Sequence, residues 1–214
     1  MVKSKAKIAS NKGTPSEVLR KLANSDDELA MLVATNSNCD SELLADIYDQ
    51  LISNNLGLEA ACIILKNGRA DVSLMERVIA DFPGVNEQRD VDYPAETSYG
   101  VLLAQHPNTP ISAIEILSKS PYYFIRECVA LRSGLPKHIR QWLAVDEHRS
   151  VRQILASNPT LETAELQVLA VDLDPTIRFK VTLHKNTSVS VLRNLANDSV
   201  AAVALSAQSI LPAS

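Results

Sequence analysis

The sequence predicts an all-α chain, a solenoid of tandem helix–turn–helix units of about 26 residues, on three observations. Leu117, Leu143, Leu169 and Leu195 stand 26 residues apart, each followed by a small residue (Ser118, Ala144, Ala170, Ala196). Charged residues keep the same step: Arg126, Arg152 and Arg178, each preceded by Ile or Val, and Asp146, Asp172 and Asp198. Aromatics are only 4% of the chain while Ala, Leu, Val and Ile are plentiful, which suits thin helical layers better than a thick core.

One unit, Ser133 to Pro159, shows the pattern. Pro136 suits the first turn of a helix, where its missing N–H costs nothing. Ile139, Trp142 and Leu143 then fall on one apolar face at i, i+3, i+4, so Trp142 reads as core. A polar break, Asp146 to Ser150, precedes a second short helix carrying Val151, Ile154, Leu155 and Ala156, and Asn158-Pro159 ends it. Thr109-Pro110 and Asp174-Pro175 give equivalent start signals in the flanking copies. Helices of roughly ten residues are marginal alone in water, so each must bury its apolar face on neighbouring units.

The first half follows the pattern more loosely. Residues 1–12 carry Lys3, Lys5, Lys7 and Lys12 and no acids, and they read as a mobile basic arm. From residue 13 to 214 the chain reads as a single domain. Thr14-Pro15 starts a first unit with Leu19 and Leu22-Ala23, and Asp26 or Ser25 caps its second helix. A second unit begins near Cys39-Asp40, turns at Asn54-Asn55 and closes at Asn67-Gly68, where Gly is expected to supply a positive φ. A third runs from Val72 to Ala80 and then breaks. Residues 82–94 have no helical period, carry Glu87, Asp90, Asp92 and Tyr93, and read as an insertion; insertions in such stacks map to loops on one face, often the binding face, and a passive surface loop is the equal alternative.

The charge spacing allows a sharper expectation. Pairing Asp146 with Arg152 and Asp172 with Arg178 leaves Arg126 and Asp198 alone, because position 120 is Ser and position 204 is Ala. Pairing each Arg with the Asp of the next unit uses all six: Arg126–Asp146, Arg152–Asp172, Arg178–Asp198. This predicts a structural ladder between units; the alternative is an Asp that caps the following helix and an Arg left in solvent.

Formal net charge is −4, unevenly spread: residues 13–99 hold 6 Lys and Arg against 16 Asp and Glu, and residues 100–214 hold 11 against 9. Cys39, Cys62 and Cys128 are scattered and odd in number, which fits neither a disulfide framework nor a zinc or iron–sulfur site. No N-terminal apolar stretch reads as a signal peptide and no run approaches the ~18 residues of a spanning helix. A soluble cytoplasmic protein without membrane contact is expected. His106, His138, His148 and His184 share no metal-ligand spacing and read as polar residues near helix ends, with His106 and His184 placed where a helix dipole favours a cation. No dinucleotide, phosphate-loop or nucleophile-elbow motif is present. No catalytic, cofactor-binding or metal-binding residues are assigned, and no cofactor and no enzymatic activity are expected.

Leu143-Ala144-x-Asp146-(x)4-Val151-Arg152-x-x-Leu155-Ala156-x-Asn158-Pro159, echoed by Leu169-Ala170-x-Asp172-(x)4-Ile177-Arg178-x-x-Val181, resembles the leucine-rich repeat variant (LRV) family and, more broadly, HEAT-like α-solenoids. The resemblance covers about residues 108–205 well and 14–107 weakly. It implies a right-handed superhelix of paired helices and a role in macromolecular interaction. The iron–sulfur cluster that some LRV proteins carry in a cysteine-rich N-terminal segment does not carry over, since only Cys39 and Cys62 stand here. The expected function is a non-enzymatic scaffold that binds an unidentified protein through a curved surface and the 82–94 loop. Tyr122, Tyr123 and Phe124, the aromatic concentration of the chain, with Glu87, Asp90, Asp92 and Tyr93, are the candidate contacts. The alternative is a HEAT-like nucleic-acid binder similar to the DNA glycosylases, using Arg132, Arg140, Arg149 and Lys185 on phosphates; the acidic first half disfavours it.

Overall fold

The structure, a computed structural model, describes residues 2–83 and 98–211. All regular structure among the described residues is helical, in fifteen helices without a strand. The chain divides into two compact units, residues 1–114 and 115–214, where the sequence led us to expect one domain from residue 13 onward.

The first unit contains α1 (Val2–Ala9), α2 (Ser16–Ala23), α3 (Asp27–Ala34), α4 (Ser41–Ser53), α5 (Gly57–Leu65), α6 (Val72–Asp81) and α7 (Tyr99–Gln105). Helix α8 (Ile111–Leu117) crosses the boundary. Short side chains start these helices: Asp26, Asp40 and Asp71 accept from Leu29, Leu43 and Leu74 N–H at 2.8–2.9 Å. Each satisfies a backbone donor that the first turn leaves without a partner. Helices α1, α3, α5 and α7 pack in succession, and α2 and α4 lie on α3 and α5. Their apolar faces form the core through Leu19, Leu29, Val33, Leu43, Leu44, Ile47, Leu51, Ile64, Met75 and Leu103, all buried.

The second unit contains α9 (Tyr123–Ala130), α10 (Lys137–Ala144), α11 (Arg149–Leu155), α12 (Thr163–Leu169), α13 (Pro175–Leu183), α14 (Val189–Leu195) and α15 (Ala201–Ile210). Helix α11 packs on α9 and α13, and α13 on α15. Helices α10, α12 and α14 each lie against the helix that follows, and α10 also touches α12. Leu117, Leu143, Leu169 and Leu195, the residues that first revealed the period, are all buried, as are Val151, Leu155, Ile177 and Val181. Asp174 accepts from Thr176 N–H at 2.7 Å and Pro175 occupies the first turn of α13.

Three further expectations change. Residues 2–9, expected within a mobile arm, form α1: Ala9 is buried, and Asn36 donates from Nδ2 to Ala9 C=O at 2.7 Å, so the segment has a packed end. Gly68 has no positive φ; among the described residues only Asn55 (φ 61) and Gly134 (φ 74) do. The Asn67 side chain makes that turn instead, Oδ1 accepting from Arg69 N–H at 3.1 Å. Trp142 is not in the core but 41% exposed. Its helix buries Ile139, Arg140, Leu143 and Ala144, a stripe centred about 130° away around the axis.

Candidate functional site

The loops entering α11, α13 and α15 share one construction. The guanidinium of Arg126, on α9, grips Asp146 with two parallel bonds, Nε to Oδ2 at 2.7 Å and Nη2 to Oδ1 at 2.8 Å. Arg152, on α11, holds Asp172 in the same way at 2.6 and 3.1 Å. Arg178, on α13, holds Asp198 at 2.6 and 2.7 Å. Each Arg therefore meets the Asp of the following repeat. The third nitrogen, Nη1, donates 2.7–2.8 Å to a carbonyl six residues before its own Arg: Ser120, Asp146 and Asp172. Each Asp also closes its own loop, Oδ1 accepting from the N–H two residues on: His148, Asp174 and Val200, at 2.8, 2.8 and 2.9 Å.

The ladder is thus a joint between repeats and a clamp on each loop at once. All three Asp side chains are nearly enclosed and the Arg side chains are mostly so. The hydrogen bond from Arg178 holds the Asp198 carboxyl below the usual carboxylate range, against the opposing effect of burial. The partner aspartates raise all three guanidiniums above their ordinary value in return. At position 120, one step before Asp146, Ser keeps only the loop closure, its Oγ accepting from Tyr122 N–H at 3.3 Å.

The aromatic candidates lie at the start of α9 and reach the first of these clamped loops. The Tyr123 ring lies flat on His148 of the next loop, centroids 3.8 Å apart and planes 13° apart. Phe124 meets the edge of Tyr123 at 5.9 Å and stacks obliquely on Tyr122 at 5.5 Å. Tyr122 and Phe124 are half-buried; Tyr123 is 45% exposed. On the adjoining loop Leu173 is 95% exposed, beside an ion pair between Arg149 and Asp174. The structure brings Tyr122, Tyr123, Phe124 and the six ladder residues into this second unit. The other candidates, Glu87, Asp90, Asp92 and Tyr93, lie outside the described residues.

Of the cations named for phosphate contact, Arg140 is buried. It donates to Glu162 at 2.7 Å, to Leu135 C=O at 2.7 Å and, more loosely, to the fully enclosed Glu165 at 3.4 Å. It braces α10 against α12 and presents no surface charge. Burial lowers the Arg132 guanidinium below its ordinary value. In the first unit, burial pushes the Cys39 thiol up to about 12, so it is no ready thiolate. Among the described residues no three His, Cys, Asp or Glu side chains gather to hold a metal, and no helix is long and apolar enough to cross a membrane.

A second ladder escaped the sequence. Asn36 donates from Nδ2 to Ala9 and Asn11 C=O, Asn67 to Ala34 and Asn36 C=O, and Asn158 to Ala130 and Arg132 C=O, at 2.6–3.1 Å. His106 and His184 stand at the same place. Their Nε2 reaches Asn67 and Asn158 C=O at 3.1 and 3.0 Å, while Nδ1 accepts from the N–H of Asn108 and Asn186. A carbonyl at Nε2 and an amide N–H at Nδ1 fit the tautomer with its proton on Nε2. Both rings serve as struts between turns. The signal was present, since His106, Asn158 and His184 keep the 26-residue register, but two different residue types hid it.

The first unit also has an open cavity of about 300 Å³ lined by Leu65, Lys66, Gly68, Leu102, Gln105, His106 and Pro107. Comparison with known proteins finds no family, no curated protein and no solved structure that matches this chain.

Proposed function

We propose that this chain is a non-enzymatic repeat scaffold of the α-solenoid kind, similar to LRV and HEAT-like proteins, that binds a partner protein. The contact lies on the loop ends of residues 115–214, and one observation carries it. Leu173, and His148 with the exposed Tyr123 ring stacked on it, stand on loops whose backbone the Arg–Asp ladder holds fixed. Rigid aromatic side chains give contact area at little entropic cost and dominate many protein interfaces. An exposed Leu on an immobilised turn adds a non-polar anchor that a passive loop has no reason to keep. Most of the 82–94 insertion lies outside the described residues, so the proposal stands on these loop ends.

Quantitative affinity capture with the whole chain, beside a Tyr123→Ala, Leu173→Ser variant, tests it. Neither side chain is in the core, so the variant should keep its helical content and thermal midpoint. Loss of a specific, stoichiometric partner from the variant is the expected result. The same partners held equally by both proteins would overturn it.

A further inference from the structure

A different surface of the second unit exposes a stripe of large apolar side chains. Ile116, Trp142 and Val168 each stand immediately before a buried Leu of the 26-residue series, and all three are 41–49% exposed. One helical turn beyond the second and third, Val145 and Val171 are 67% and 79% exposed. Solvated helix faces favour charged and polar residues at such places, yet this register repeats large apolar ones. Neighbouring contacts join the faces side by side. Lys119 Nζ sits 3.9 Å from the centre of the Trp142 ring, His138 Nε2 lies 2.8 Å from Glu115 Oε1, and Arg140 links α10 to α12.

Charge says what covers the stripe. Its carboxylates are engaged: Glu115 with His138, and Glu162 with Arg140. Lys119, just past the C-terminal end of α8, and Lys137, at the N-terminal end of α10, are exposed, and neither has a carboxylate within ion-pair distance among the described residues. The stripe is therefore apolar along its middle with free positive charge at these helix ends, the complement of a segment apolar on one face and acidic on the other. Spacing agrees. Packed helices lie roughly 8–10 Å apart, and residues i and i+7 of an α-helix are separated by about 10.5 Å along its axis. One helix laid across α8, α10 and α12 can set a side chain on each of Ile116, Trp142 and Val168.

We propose that this face binds an acidic amphipathic helix of a partner protein, with Trp142 as the central anchor and Lys119 and Lys137 receiving its carboxylates. This site is separate from the Tyr123–His148 loop ends and does not depend on them.

Trp142 is the single tryptophan of the chain, so its fluorescence reports on the site directly. The probe is a synthetic helix-forming peptide with Leu at i, i+3, i+7, i+10 and i+14 and Glu on its other face. It is titrated into the full chain beside a peptide with Lys for Glu and a scrambled one. A saturable blue shift with the Glu peptide, bound at least ~10-fold tighter than the other two and weakening with salt, is expected. Val168→Asp and, separately, Val171→Asp should remove it, and Lys119→Ala should weaken it several-fold; thermal unfolding checks that each variant folds. Tyr123→Ala, Leu173→Ser should leave peptide binding unchanged, which separates this site from the loop-end reading. Absence of a saturable shift, or equal response to the scrambled or Lys peptide, would overturn the proposal. So would a concentration-dependent shift of the protein alone together with a dimer mass in sedimentation, since a second copy would then cover the stripe.

Discussion

At the scale of single residues, the Arg–Asp ladder works through complementarity of shape as well as charge. A guanidinium presents parallel N–H groups to a carboxylate and still has a third nitrogen for a carbonyl; lysine offers a point charge and cannot do both. Arg152→Ala should lower stability by about 3 kcal/mol or more, because it leaves Asp172 enclosed without its partner. Arg152→Lys should recover only part of the loss, as read by denaturant unfolding. The same contacts set a pH dependence. Asp198 has a lower pKa folded than unfolded, so its contribution is complete above the ordinary aspartate value near 4 and fades as pH falls through the depressed folded value. Stability measured between neutral and strongly acidic pH should drop on the acid side, and less steeply in Arg178→Ala. His184 makes a different kind of contact, a strut in which an imidazole takes the place that a carboxamide holds at Asn158. His184→Asn should therefore keep most of the stability that His184→Ala loses, and nitrogen chemical shifts of the wild-type ring should show the Nε2–H tautomer.

At the scale of elements, helices α11 and α13 of the second unit are held at both ends by polar links. Their N-terminal loops carry the Arg–Asp ladder, and their C-terminal turns carry Asn158 and His184, each bonded to the turn of the preceding repeat. That is how helices of seven to nine residues persist: neighbours supply the partners that a short helix lacks. Gly134 ends the turn before α10 with φ +74, and a Cβ there would meet nothing within 4 Å. Gly134→Ala should thus cost only the backbone penalty of the left-handed region, roughly 1–2 kcal/mol, seen as a lower thermal midpoint without loss of helical content. Element starts were legible because caps are local: an Asp before a Leu-rich stretch satisfies its own first turn. Trp142 was not legible. Its i+3 spacing from Ile139 allows an apolar face, but the packed neighbours chose the adjoining stripe, with Arg140 inside it bonded to Glu165.

At the scale of the molecule, the chain forms two compact helical units, and only the second keeps the strict 26-residue step. The first uses other links: Arg20 reaches Asp46 and Glu42, Arg77 reaches Asp49, and the buried Tyr48 donates to Asp81 at 2.8 Å. In a stack whose units meet only their neighbours, damage stays local. Arg152→Ala should accelerate amide hydrogen exchange most in α11 and the loop before α13, with the effect fading along residues 115–214 in both directions; a uniform rise throughout that unit would show one cooperative body instead. Sequence by itself determined that the chain is helical, where the repeats fall, and which Arg and Asp could pair with none left over. Those are questions of period and local capping, and a repeat writes its own neighbours into the register. Only the tertiary structure decided that Trp142 faces outward, that Arg140 lies inside, and that histidine and asparagine share one role. Such outcomes depend on which atoms of another repeat come within bonding distance, and no single stretch of chain contains that information.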